Sequence, residues 1–174
     1  MVSARTSEDD LPLRLRYAAP VVREESTLKS QPRQFTQLGV EYFGADGIDG
    51  NLPETEVVSL LAETLDALEA PAWRIVCGSV SPLKALLDRR SPSSEFEERA
   101  LGLAHESDLV SLDELVDSTE LDQSVREALR RIPRLAGDAS VIEEADALLD
   151  AAGIPAAERG TSELRALVSS LADL

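Results

Sequence analysis

The 174 residues are 43% hydrophobic but only 3% aromatic, enough apolar mass for one compact domain whose core must rest on Leu, Val, Ile and Ala. No stretch approaches the roughly 18 apolar residues of a membrane span. The polar residues 1–10 lack a secretory h-region, and the single Cys77 forms no internal disulfide, so a cytoplasmic protein without a membrane partner is expected. The net charge of −16 is unevenly spread: residues 1–44 carry six Lys/Arg against six Asp/Glu, and residues 45–174 carry 11 against 27. A field of that sign repels a phosphate backbone, so no nucleic-acid partner is expected.

In chain order, the pattern opens as strands. Leu11, Leu13, Leu15 and Tyr17 alternate with Pro12, Arg14 and Arg16, the period of a half-buried strand. A polar loop is predicted over residues 24–32. Alternation returns over residues 33–43, with Thr36, Leu38, Val40 and Tyr42 on one face and Arg33, Phe35, Gln37, Gly39, Glu41 and Phe43 on the other. The two runs predict an antiparallel hairpin with a long tip. Gly44, Asp46, Gly47, Asp49, Gly50 and Asn51 then mark a break.

Pro53 opens a predicted helix to about Glu69, acidic in its first turn as the macrodipole favours. Val57, Leu60, Leu61, Thr64, Leu65 and Leu68 are its expected buried stripe. Residues 73–77 read as a short apolar strand with Trp73 as a core anchor. Ser81 and Pro82 are the expected N-cap and first helical residue of a helix to about Asp88. Further helices are predicted near residues 94–105, 111–117, 121–131, 139–152 and 161–172, with Gly153 and Pro155 stopping the fourth.

The candidate chemistry lies in the hairpin. Gln37 and Glu41 share a strand face, roughly 13 Å apart along the sheet, with Gly39 leaving bare backbone between them. An amide and a carboxylate at the edges of such a floor suit a ligand that carries an ammonium group. The same spacing also fits the solvent face of an amphipathic hairpin, and spacing alone leaves both readings open.

The run Leu13, Arg14, Leu15, Arg16, Tyr17, then Pro20, Val21, Val22, Arg23, a polar loop, and Arg33, Gln34, Phe35, Thr36, Gln37, Leu38, Gly39, Val40, Glu41, Tyr42, Phe43, Gly44 resembles motif 2 of histidyl-tRNA synthetases and their relatives. The resemblance implies an α/β (α+β) fold: part of the class II synthetase antiparallel sheet with packed helices, followed by a helical second half. Three divisions are expected: a flexible stretch at 1–10, a partial synthetase-like core at 11–88, and a helical region at 89–174. By position, Gln37 and Glu41 resemble the pair holding the α-amino group of histidine. Arg23 and Arg33 resemble arginines that meet phosphate or carboxylate. Glu25 stands where the synthetases, one branch of the family, have a nucleotide-contacting glutamate.

The other branch is the non-catalytic regulatory subunit of ATP phosphoribosyltransferase. Residues 74–80, with Gly78 and Ser79, followed by Leu83, Lys84, Ala85, Leu86 and Leu87 resemble that branch, as do residues 132–137 with 141–145. No counterpart of motif 1 precedes Leu11, and neither the Tyr-Tyr motif nor motif 3 follows. The resemblance therefore covers the central portion of the family's domain and implies no catalytic residue and no cofactor here. It implies histidine as ligand and the short-form catalytic subunit as partner, in a hetero-oligomer once the missing flanks are supplied. A piece of a histidyl-tRNA synthetase is the alternative. Neither His105, without a second His or Cys at ligand spacing, nor Cys77, without a nearby base, predicts a metal or nucleophilic site.

Overall fold

The computed structural model describes residues 11–22, 34–44 and 53–172. The chain divides into two compact units, one ending at Trp73 and the other beginning at Arg74. The first is an antiparallel ribbon with one helix and the second is helical, which makes the molecule mixed α/β as expected.

In the first unit, β1 (Leu13–Val22) pairs antiparallel with β2 (Gln34–Phe43), with Leu13 opposite Phe43 and Val22 opposite Gln34. The alternation that predicts the strands also sorts their faces. Leu13, Leu15, Ala19 and Val21 of β1 share the more buried face with Phe35, Gln37, Gly39 and Phe43 of β2, while Arg14, Arg16, Leu38 and Val40 lie on the exposed face. Helix α1 (Pro53–Ala67) follows, with Glu54 and Glu56 in its first turn. Its apolar stripe is not buried as expected: Ala62 is buried, but Leu60, Leu61 and Leu68 are exposed. Among the described residues this unit holds two strands and one helix, too little apolar surface to cover a 15-residue helix.

Residues 73–77 are not a strand. A strand needs a ladder, and β1 and β2 pair with each other, so this segment finds no ladder partner among the described residues. Trp73 is only half-buried, its indole Nε1 donating to Asp66 Oδ1 at 2.9 Å.

The helical unit contains α2 (Ser81–Arg90), α3 (Ser94–His105), α4 (Leu109–Asp117), α5 (Gln123–Arg131), α6 (Ser140–Ala151) and α7 (Ser162–Ser170), with single 3-10 turns at Ile132–Arg134 and Ala156–Glu158. Starts follow local chemistry: Ser93 Oγ accepts from the Phe96 amide at 3.2 Å, and Asp108 Oδ1 accepts from Ser111 at 3.1 Å. At α2 the cap position is Val80 rather than Ser81, and Ser79 Oγ accepts the Ser81 N–H at 3.2 Å. Helix α6 stops at Gly153, whose φ of +75° suits a residue without Cβ.

One apolar cluster joins α2 through α6. Leu86, Leu87, Ala100, Leu112, Val116, Ala128, Leu129 and Leu149 are essentially inaccessible to water. At about 25 cal/mol per Å² of apolar surface, this burial is the main stabilising term of the unit. Arginines tie its loops: Arg126 donates to the Thr119 and Leu121 carbonyls, and Arg134 to the Leu109 carbonyl and Asp113.

Candidate functional site

Gln37 and Glu41 both stand on β2, opposite Ala19 and Leu15 of β1, so the four-residue spacing puts them on one face. Gln37 is half-buried and Glu41 exposed. Arg23, Glu25 and Arg33 lie outside the described residues.

The floor between Gln37 and Glu41 is not bare. Tyr17 is the direct cross-strand neighbour of Gly39, and its ring lies against the glycine. A Cβ at position 39 would stand 2.2 Å from Tyr17 Cζ and 2.4 Å from Oη. The missing side chain therefore serves the tyrosine rather than leaving open backbone. Gln37 Nε2 donates to Tyr17 Oη at 2.7 Å, which joins the amide to the ring. Sequence reading set Tyr17 among the apolar positions of β1 and missed this role. An aromatic opposite a strand glycine is the signal, and it becomes visible only once the register is known.

On the exposed face, Arg14 grips α1. Its Nε and Nη2 donate to Glu56 Oε1 and Oε2 at 2.5 and 2.8 Å, and its guanidinium lies 4.8 Å from the centre of the Tyr42 ring. Hydrogen bonding to Arg14 holds the Glu56 carboxyl below its ordinary range, and the Glu56 bond raises the guanidinium in turn. Beside this pair is a cavity of about 290 Å³, reached by Arg16, Val40, Glu41, Val57 and Leu60. Glu41 thus borders a recess as well as the tyrosine-covered face.

The helical unit has a larger cavity of about 590 Å³ whose walls include Cys77, Ser79, His105, Ile142 and Thr161. It brings Cys77 and His105, 28 positions apart in sequence, onto one surface. No hydrogen bond joins them among the described residues, and none of those residues forms a group of three or more His, Cys, Asp or Glu suited to a metal.

The family model for histidyl-tRNA synthetase matches residues 1–174. The chain belongs to the histidyl-tRNA synthetase family. Among curated members it is 36% identical over 162 residues to the ATP phosphoribosyltransferase regulatory subunit of Azoarcus sp. (strain BH72), covering 92% of this chain and 40% of that protein. It is 35% identical over 137 residues to the subunit of the same name from Saccharophagus degradans, covering 79% of this chain and 34% of that one. A solved structure from Bacillus halodurans C, titled as an ATP phosphoribosyltransferase regulatory subunit/histidyl-tRNA synthetase, superposes with a TM-score of 0.76 at 27% identity, covering 99% of this chain and 42% of that one. The chain therefore spans between about a third and two-fifths of the length of these family members. Among the described residues no helix is long and apolar enough to cross a membrane.

Proposed function

We propose that this chain acts in the non-catalytic regulatory subunit of ATP phosphoribosyltransferase, in the cytoplasm, supporting a short-form catalytic subunit and its feedback by histidine. The observation that carries this reading is the 36% identity over 162 residues to a protein of that name. Histidine is the proposed ligand. Glu41 supplies the negative charge for its α-ammonium, and the half-buried Gln37 supplies a neutral hydrogen-bonding partner on the same strand face. Arg23 and Arg33, by their motif positions, are proposed to meet the carboxylate or a phosphate. No step of bond making is assigned to the chain.

The test is histidine calorimetry on the complex with the short-form catalytic subunit, wild type beside Glu41→Gln. The substitution keeps shape and removes a charge-assisted hydrogen bond, so affinity should fall on the order of tenfold. An assembled variant with unchanged affinity would remove Glu41 from the site. A chain that neither joins the catalytic subunit nor alters its response to histidine would remove the regulatory reading altogether.

A further inference from the structure

The Tyr17–Gly39–Gln37 cluster is more specific than a structural cross-strand contact requires. Packing a ring over a strand glycine needs no hydroxyl, yet the Tyr17 hydroxyl is engaged by the Gln37 amide at 2.7 Å. Tyr17 belongs to the other strand, opposite Gly39. Its ring occupies the position between Gln37 and Glu41 along the face.

We propose that Tyr17 is a positioning residue of the ligand site, completing through its hydroxyl the orientation of Gln37 that an ammonium ligand requires. This inference rests on the proposed reading of Gln37 and Glu41 as the amino-group site.

An ammonium group donates only, so a glutamine that contacts it must present Oε1, and Nε2 must then find an acceptor elsewhere. Tyr17 Oη is that acceptor, and the observed bond runs from Nε2 to Oη. A hydroxyl can donate as well as accept, so a ligand bearing a hydroxyl in place of the ammonium is served by either orientation of the amide. Tyr17 therefore matters more for an ammonium than for a hydroxyl at the same position. Gly39 makes the arrangement possible, since any side chain there would occupy the space of the ring.

Tyr17→Phe keeps the ring over Gly39 and removes only the acceptor. Histidine and imidazolelactate, the analogue with a hydroxyl for the α-ammonium, are titrated into wild type, Tyr17→Phe, Gln37→Ala and Glu41→Gln. Each protein is used as the full chain, alone and with the catalytic subunit. The expected result is a histidine-to-imidazolelactate affinity ratio lower by about threefold to tenfold in Tyr17→Phe, the span of one net hydrogen bond. The double variant Tyr17→Phe/Gln37→Ala should lose little beyond Gln37→Ala alone, because the effect passes through Gln37. Equal weakening of both ligands, or an unchanged ratio, overturns the role of Tyr17 while Glu41→Gln still reports on the site. Absence of histidine binding by wild type in either form, or unchanged binding in both Gln37→Ala and Glu41→Gln, overturns the site and this inference together.

Discussion

Gly39→Ala is the perturbation that most directly probes the hairpin. The added Cβ would stand 2.2 Å from Tyr17 Cζ, 2.4 Å from Oη and 2.5 Å from Cε1, against an ordinary carbon–carbon contact of about 3.5–4.0 Å. More than 1 Å must be found. Tyr17 is 38% exposed and its side chain turns about two torsions, whereas the strand is held by its ladder, so the ring yields first. Its departure removes the 2.7 Å bond from Gln37, a net loss of about 0.5–1.5 kcal/mol. Alanine returns about 0.5–1 kcal/mol over glycine in a strand interior. The two nearly cancel, so global stability should change by less than about 1 kcal/mol while the local geometry changes completely. The assay is NMR together with chemical denaturation: contacts between the Tyr17 ring protons and the Gly39 α-protons and Gln37 side-chain amide in wild type, absent from the variant at near-constant stability. Surviving contacts from Tyr17 to Gln37, or destabilisation above about 3 kcal/mol, would refute the reasoning, the latter by showing that backbone rather than ring gives way.

Leu112→Ala, at a side chain with no exposed surface in the helical core, should cost about 2–5 kcal/mol by urea denaturation, and a loss under 1 kcal/mol would mean that the cluster is not close-packed. Acid should loosen the starts of α4 and α6. Side-chain hydrogen bonds from Ser111 and Ser140 hold the Asp108 and Asp138 carboxyls below their ordinary values, so their stabilisation is complete above the ordinary aspartate range and lost as pH falls through the lowered folded values. The Asp108→Asn/Asp138→Asn variant should therefore show a shallower fall of helical circular dichroism below about pH 4, and an unchanged acid profile would count against a stabilising role for these carboxylate–serine bonds.

Much of the helical unit was legible in the chain itself, because helix chemistry is local. Ser93 and Asp108 bind amides three residues away, Gly153 permits a positive φ, and apolar residues recur at three and four positions, as Val125, Ala128 and Leu129 do in α5. The hairpin was equally readable from its alternation, and with it the shared face of Gln37 and Glu41. The motif 2 resemblance lies on the same stretch of sequence, and the family model matches residues 1–174.

What tertiary structure alone decided was which groups meet across the chain. Alternation marks Tyr17 as inward or outward but gives no register, and only the register sets its ring on Gly39. The grip of Arg14 on Glu56 joins positions 42 apart, a distance no local pattern spans. Residues 73–77 have the composition of a strand, yet a strand exists only by pairing, and no described segment offers them a ladder. The α1 stripe failed for a related reason: periodicity states which face is apolar, whereas burial depends on how much surface the neighbouring elements supply.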